Sequence, residues 1–247
     1  MIMLENSSAV ETIYARILRQ ELHQFCLCST QHQAGNTSIA FALAKRAAQS
    51  GKRVLLIELN RTTPSLAKQH AITNPEWLPL TGHWEHAAFE SEQAGLMLLC
   101  SPVKASHCVE FRDQETLKLF FDGCMQRFDM VICDTDPILL SGEKIKPKAD
   151  ALTPSDSLPV DVICAASEAT LLNIVTGMTT ESQVDEAREI LFQGGANLKG
   201  VIMNDRYAPG LKQELVRETY RLEKILPKLM RKLRIQFDKM LLLNQEL

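Results

Sequence analysis

The stretch FCLCSTQHQAGNTSIAFALAKRAAQSGKRVLLIEL, residues 25–59, determines the fold. It begins with a short apolar run (25–30) that breaks into a polar, glycine-containing loop. A helical pattern then extends over 37–50 and meets Gly51, a residue type that commonly ends helices. The near-continuous apolar run 53–59 is typical of a parallel strand that is buried on both faces. The stretch therefore predicts one strand–loop–helix–strand unit.

The same alternation continues along the chain. Further strand patterns lie at 95–100, 129–134, 160–166 and 199–204, and further helical patterns at 8–20, 113–127 and 179–193. Alternating strands and helices predict βαβ units, so we expect an α/β fold with a doubly wound, mostly parallel sheet. Because ligands bind at the carboxyl ends of the strands in such sheets, one crevice should be surrounded by the loops after Thr30, Leu59, Asp134 and Asn204.

Two segments interrupt the alternation, and a third follows it. Residues 70–94 and 137–159 contain prolines and lack periodicity, which predicts loops. The α/β domain is predicted to occupy residues 1–210. The remainder, 211–247, is predicted to be a basic, amphipathic helical tail with an apolar stripe at Leu222, Leu226, Leu229, Leu233 and Met240. Three roles for this tail stay open: it packs on the domain, binds a partner helix or contacts an anionic membrane surface.

Composition limits the function classes. Hydrophobic residues make up 45% and charged residues 23%, as in soluble globular proteins. No apolar run approaches the ~20 residues that a spanning helix requires, so we expect a cytoplasmic protein whose membrane contact, if any, is peripheral. The seven cysteines lie mostly inside apolar runs, which predicts buried, reduced thiols.

Charge is unevenly distributed along the chain. The net charge of −3 combines a 212–239 segment near +5 with a remainder near −8. An acidic body with a basic tail suggests a docking element. Nucleic-acid binding is not predicted, because the body is acidic and poor in aromatic residues.

Residues 29–66 resemble the phosphate-loop segment of bacterial tyrosine kinases (BY-kinases) and their MinD/ParA relatives. In that family a loop of the form S-x-x-P-G-E-G-K-S-T precedes a helix and the sequence K-R-V-L-L-I-D-x-D-x-R-x-P-S-L. FDMVICDTDP (128–137) is similar to the family's F-D-x-V-I-I-D-T-P-P, and LKGVIMN (198–204) to its late strand that ends in Asn. The resemblance implies a P-loop NTPase fold of the MinD/BY-kinase type.

The same resemblance indicates an eroded phosphate loop. A working P-loop wraps phosphates with backbone N–H groups, binds the β- and γ-oxygens with a lysine and holds Mg²⁺ with a hydroxyl. Here Asn36 stands where the lysine belongs, and Asn cannot supply a positive charge. The resemblance assigns Mg²⁺ to Thr37 and Asp134, and assigns the nucleotide to Gly35, Asn36, Thr37, Ser38 and Asn204.

The carboxylates also depart from the family pattern. Glu58 replaces the first aspartate of the second motif, Asn60 replaces its second aspartate, and Asp134 matches the Walker B aspartate. If the crevice is active, Asp134 and Glu58 are the catalytic candidates. The lost lysine removes a preorganised cation, and phosphoryl transfer depends on such charge compensation.

Each position also has a structural interpretation. Thr37 and Ser38 suit a helix N-terminus without any ligand. Gln33 and Asn36 could fill the phosphate space and hydrogen-bond the loop amides. The remaining alternatives are a loop cap at Asp134, a solvated strand-end carboxylate at Glu58 and a turn at Asn204.

Features that the family's kinases use for substrate and assembly are weak in this chain. Their C-terminal tyrosine cluster has no counterpart, since the chain contains three tyrosines and none in its last 27 residues. Their N-terminal E-x-x-R-x-x-R oligomer motif is matched at Arg16 and Arg19, but Ile13 occupies the Glu position. Ring formation by the family's route is therefore not predicted, although a homo-oligomer stays an alternative.

These observations favour a pseudo-kinase or pseudo-ATPase that serves as a binding or regulatory module in bacterial exopolysaccharide or capsule biosynthesis or export. Its partner would be a protein of a membrane-bound polysaccharide complex. No cofactor is expected unless the degenerate site still binds ATP or ADP with Mg²⁺. One alternative is an active ATPase or tyrosine autokinase with a substitute cation from Lys144, Lys146, Lys148 or a partner. Another is a MinD/ParA-like positioning protein that docks on a membrane or a partner.

Overall fold

The computed structural model describes residues 7–70, 72, 76–102, 109–139 and 157–205. The helices are α1 (Ser8–Arg19), α2 (Asn36–Gln49), α3 (Leu66–Gln69), α4 (Trp84–Ala87), α5 (Gln114–Met125), α6 (Val160–Ala166) and α7 (Glu181–Gln193), with a 3₁₀ turn at Val109–Arg112. The strands are β1 (Gln24–Ser29), β2 (Val54–Leu59), β3 (Phe89–Glu90), β4 (Leu96–Leu99), β5 (Met130–Thr135), β6 (Ala169–Val175) and β7 (Leu198–Asn204).

These strands form a seven-stranded sheet in the order β3-β4-β2-β5-β1-β6-β7. Every neighbouring pair is parallel except β3 with β4. Helices α1 and α2 cover one face of the sheet, and α5, α6 and α7 cover the other, each over its own apolar core. The central strands β1, β2 and β5 are buried along their whole length, as near-continuous apolar runs require. The predicted α/β, doubly wound, mostly parallel fold is confirmed.

The strand–loop–helix–strand unit predicted over 25–59 is present as β1, α2 and β2. One strand prediction was wrong. VDVICAA (160–166) forms helix α6, and the strand is the following run ATLLNIV (169–175). Short buried helices and strands are both apolar runs, which periodicity alone cannot distinguish. The spacing of the buried residues Val160, Ile163 and Cys164 is the helical one.

The segment predicted as a loop over 70–94 is more ordered than expected, because it contains α4 and β3. Both tryptophans of the chain are buried there. Trp77 stacks on Phe120, with ring centroids 5.5 Å apart, and its Nε1 donates to the carbonyl of Cys100 at 2.8 Å. The apolar composition of this segment therefore extends the core on the α5 side of the sheet.

Two other predictions fall outside the described residues: most of the 137–159 loop and the 211–247 tail with its domain boundary. The six described cysteines are buried and free. Within the described part of the chain, no helix is long and apolar enough to cross a membrane.

Candidate functional site

The loop between β1 and α2 carries the backbone geometry of a tight phosphate loop. Gly35, which immediately precedes α2, has φ 76°, and Gln33 has φ 59°. A left-handed φ is readily adopted by glycine and costs other residues energy. The loop begins at Thr30, whose N–H donates to the carbonyl of Asn173 on β6 at 3.3 Å. The chain thus turns sharply over the carboxyl ends of β1 and β6 before α2 begins.

Asn36, the first residue of α2, directs its side chain into the protein. It is 6% exposed, and its Nδ2 donates to the carbonyl of Leu27 at 2.7 Å and to Oδ1 of Asp134 at 2.8 Å. One amide therefore joins the ends of β1 and β5. The expectation that Asn36 hydrogen-bonds the loop amides is not met, because its amide donates to the sheet, whereas the role expected of Gln33, which is exposed, stays a prediction.

Thr37 holds the second contact to Asp134. Its Oγ1 donates to Oδ2 of Asp134 at 2.5 Å, so both carboxylate oxygens have a partner from the first turn of α2. Ser38, the other hydroxyl residue of the motif, is exposed. The structure therefore brings Asn36, Thr37 and Asp134 into one contact group and leaves Ser38 outside it.

Glu58 lies beside Asp134, because the two residues are register partners on the neighbouring strands β2 and β5. Both side chains are fully buried. Oε1 of Glu58 accepts from the backbone N–H groups of Ser65 at 2.6 Å and Leu66 at 3.0 Å. The alternative of a solvated strand-end carboxylate at Glu58 is therefore wrong. The register that pairs the two acids is set by the sheet and cannot be read from either motif alone.

Burial dominates the electrostatics of this pair. It raises the pKa of Asp134 from 3.8 to about 8, and the neighbouring Glu58 carboxylate adds to the increase. The hydrogen bonds from Thr37 and Asn36 lower the pKa of Asp134 in part. Burial also raises the pKa of Glu58 above its ordinary 4.5. Two adjacent buried acids thus favour their protonated forms.

Asp136 is a third buried carboxylate that sequence reasoning missed. Its Oδ2 accepts from the N–H of Arg61 at 3.1 Å, and its Oδ1 accepts from the N–H of Thr62 at 3.0 Å and from Thr62 Oγ1 at 2.5 Å. Asn60 closes the same turn, since its Oδ1 accepts from the N–H of Thr63 at 3.1 Å. The D-T-D sequence around Asp134 was the available signal. The resembled motif has a proline at the position of Asp136, so the resemblance assigned this aspartate no role.

Replacing Thr62 with valine removes the hydroxyl that bonds to Asp136 and keeps the side-chain shape. Hydrogen bonds to charged groups are worth about 1.5–3 kcal/mol, and the backbone N–H of Thr62 retains part of the contact. We therefore expect the free energy of unfolding in urea to fall by about 1–2 kcal/mol. Thr63→Val, at an exposed neighbour whose hydroxyl donates only a long bond of 3.3 Å to the uncharged Asn60 Oδ1, is the matched control and should change it by less than about 0.5 kcal/mol. Equal losses in the two variants would show that Asp136 does not fix this turn.

Asn204, predicted to approach a nucleotide, ends β7 beside the phosphate loop. Its Nδ2 donates to the carbonyl of Ala34 at 2.7 Å, and Nδ2 of Asn173 donates to the same carbonyl at 3.0 Å. Asn173 was missed because β6 was not predicted from the sequence. The two amides fix the loop from β6 and β7, whereas a nucleotide contact by Asn204 stays a prediction.

Comparison with known proteins gives a consistent result. No family model matches the chain. The chain is 27% identical to the tyrosine-protein kinase YwqD of Bacillus subtilis over 210 aligned residues. This alignment covers 81% of each of the two chains. The VpsO kinase domain superposes with a TM-score of 0.63 at 25% identity, over 81% of this chain and 95% of that one. MinD from Pyrococcus horikoshii, solved with Mg-ADP, superposes with a TM-score of 0.54 at 15% identity, over 74% and 70% of the two chains.

The chain has the fold of the BY-kinase/MinD-type P-loop proteins and resembles a BY-kinase in sequence. The order of its motifs, its sheet and its relatives agree on this point. Its site keeps the shape of the P-loop, with a left-handed Gly35 before the helix and a Thr37 hydroxyl against Asp134, the residue that matches the Walker B aspartate. Those two features are the ones that a Mg²⁺-nucleotide would use.

The charge of the site does not fit a nucleoside triphosphate. The described partners of Asp134 and Glu58 are amide, hydroxyl and backbone N–H groups, not the ammonium of a BY-kinase/MinD-type lysine. A triphosphate would add several negative charges beside buried acids without that cation. Within the described residues, no group of three or more His, Cys, Asp or Glu side chains is arranged to hold a metal ion. Lys144, Lys146 and Lys148 lie outside the described residues.

Proposed function

We propose that this chain is a catalytically degenerate BY-kinase/MinD-type protein that acts as a binding or regulatory module in bacterial exopolysaccharide or capsule biosynthesis or export. It would work in the cytoplasm, on a protein partner of a membrane-bound polysaccharide complex. The pathway is inferred from the resemblance to the tyrosine-kinase branch of the family. The loss of catalysis is inferred from the site.

The orientation of Asn36 carries this proposal. Its amide donates to Leu27 and Asp134 at the position where the family's lysine would face phosphate. Both carboxylate oxygens of Asp134 and the carbonyl of Leu27 have donors within the protein, so these acceptors do not depend on a nucleotide, whereas Oδ1 of Asn36 and Oε2 of Glu58 are buried without a hydrogen-bond partner among the described residues. A binding module that keeps the sheet but has lost phosphoryl transfer must fold without a bound nucleotide.

The burial of Tyr14 supports the same proposal. Tyr14, on α1, is 3% exposed, and its hydroxyl lies 2.7 Å from Oγ of Ser50. The ring is also covered by the guanidinium of Arg46, 5.0 Å from its centroid. A phosphoryl acceptor must reach the γ-phosphate of a neighbouring subunit, and this buried phenol cannot do so without unpacking α1. The only other tyrosines of the sequence are Tyr207 and Tyr220.

A thermal-shift titration with Mg-ATP tests the loss of nucleotide binding. We expect no shift for the wild type at millimolar nucleotide, because the loop lacks its cation. Asn36→Lys should gain a Mg-dependent shift of a few degrees, the effect of a ligand at about 100 times its Kd. Asn36→Met is the matched control, since it has similar length without charge and should gain none.

A Mg-dependent shift of the wild type, together with ATP hydrolysis that Asp134→Ala abolishes, would instead establish an active enzyme with a cation from elsewhere. The role as a module is tested by complementation in the host. Deletion should alter the amount or chain length of the surface polysaccharide, and the folded Asn36→Met variant should restore it as well as the wild type. Failure of deletion to affect the polymer would contradict the proposed pathway.

A further inference from the structure

A groove lies between α1 and the edge strand β7, away from the strand-end crevice. Its volume is about 480 Å³, and it is lined by residues of α1, by Leu171 of β6 and by residues 199–203 of β7. Among the described elements, α1 is the outer helix on its face of the sheet and β7 is the last strand of the sheet. The groove therefore occupies the place where another helix would continue this layer over β7.

The lining of the groove is largely apolar. Ile17 of α1 and Leu171 and Ile202 of the sheet form its buried floor, and Ile13 is partly buried beside them. Gly200 contributes no side chain, and a Cβ added there would meet only Cδ2 of Leu171, at 3.4 Å. These features suit the apolar side chains of an amphipathic segment.

The charges of the groove have one sign. Arg16 and Lys199 are the charged residues among those that line it, and both are exposed. Neither has an ion-pair partner among the described residues. Outside residues 212–239 the chain has 18 basic and 26 acidic residues, so this positive groove lies on an acidic body. Charge complementarity of this kind selects a partner and its orientation.

We propose that the groove binds an amphipathic helix of a partner protein, with its apolar side chains against Ile13 and its carboxylates beside Arg16 and Lys199. The occupant is a different protein because residues 212–239 of this chain carry a net charge near +5, the same sign as the groove. The inference goes beyond the proposed function and does not depend on the state of the nucleotide crevice. Its test requires neither nucleotide nor polysaccharide.

The probe is a fluorescein-labelled, lactam-bridged amphipathic peptide with a leucine stripe and glutamate at its other positions. Its anisotropy is measured against the full chain at low ionic strength, where exposed charge pairs are least screened. Two further peptides serve as controls. One has every glutamate replaced by lysine, and the other has the residues of the acidic peptide in scrambled order, so that the leucine stripe is lost. We expect the acidic amphipathic peptide to bind at least tenfold more tightly than either control.

Charge reversal identifies the groove as the binding surface. Arg16→Glu combined with Lys199→Glu should weaken the acidic peptide at least tenfold, because two attractive contacts become repulsive. Lys68→Glu combined with Lys118→Glu makes the same change in net charge at two exposed lysines outside the groove, and should weaken it less than twofold. Circular dichroism melts check that both double variants fold.

Three results would overturn the proposal: no binding of the acidic peptide, binding of the control peptides with equal affinity, or equal losses in the two double variants. Sedimentation velocity of the chain alone adds a fourth. If the wild type is an oligomer that Arg16→Glu/Lys199→Glu dissociates, a second copy of this chain occupies the groove instead of a partner helix.

Discussion

Replacing Asp134 with asparagine is expected to raise the free energy of unfolding at pH 8 by about 3 kcal/mol. Burial raises the pKa of this carboxyl from 3.8 to about 8 in the folded protein, so the folded state holds a proton that the unfolded state releases. The folded state is therefore favoured below pH 4, and this contribution is lost as the pH rises towards 8. A pKa shift of about 4 units corresponds to roughly 5–6 kcal/mol of stability. We expect a smaller gain for Asp134→Asn, because the hydrogen bonds of asparagine fit the site less well.

Asparagine suits the position because its Oδ1 can accept from Asn36 and its Nδ2 can donate to Thr37 Oγ1. The measurement is urea unfolding of both proteins at pH 5, 6, 7 and 8. Because Glu58 also has a raised pKa, the readout is the difference between the two proteins rather than the wild-type profile. That difference should grow by about 1 kcal/mol per pH unit.

Asp129→Asn is the control for the Asp134 variant. Asp129 is an exposed carboxylate whose pKa is lowered to about 2 by its hydrogen bonds with Arg53, so its replacement should give no stabilisation at any of these pH values. If Asp134→Asn is instead less stable than the wild type at pH 8, Asp134 is ionised and compensated by a cation. That outcome would favour an active crevice over a degenerate one.

The sequence was sufficient for most of the sheet, because β1, β2 and β5 are long apolar runs with helical patterns between them. It failed at α6 and β6, where two apolar runs of seven residues follow each other and each could be either element. That error also concealed Asn173, whose role beside the phosphate loop exists only because β6 lies next to β1.

The site was predicted in composition but not in geometry. The absence of a lysine at Asn36 could be read directly, and so could the carboxylates Glu58 and Asp134. Their adjacency depends on the register of β2 with β5, and the direction of the Asn36 amide depends on the depth of α2 over the sheet. Both are tertiary properties, which explains why a solvated Glu58 and an Asn36 amide bonded to the loop were reasonable expectations and proved wrong.

Removal of the Asn36 amide should have the opposite sign to removal of the Asp134 charge. Asn36→Ala removes the Nδ2 donor from the buried Oδ1 of Asp134 and from the carbonyl of Leu27, which keeps the hydroxyl of Thr135 at 3.3 Å. A buried acceptor left without a partner costs about 1–3 kcal/mol, so we expect the free energy of unfolding at pH 7 to fall by about 2 kcal/mol. Ser38→Ala, in the same helical turn but exposed, should change it by less than about 0.5 kcal/mol.

The pH dependence of the Asn36→Ala loss separates a structural amide from general damage to α2. Removing the Asn36 donor costs more stability when the Asp134 carboxyl is ionised than when it is neutral, because hydrogen bonds to charged groups are stronger. Since Asp134 titrates near pH 8, the loss should be larger at pH 9 than at pH 6. A loss that does not vary with pH would show that Asn36 supports only the packing of α2. A loss below about 0.5 kcal/mol would contradict the claim that this amide makes the strand ends independent of a nucleotide.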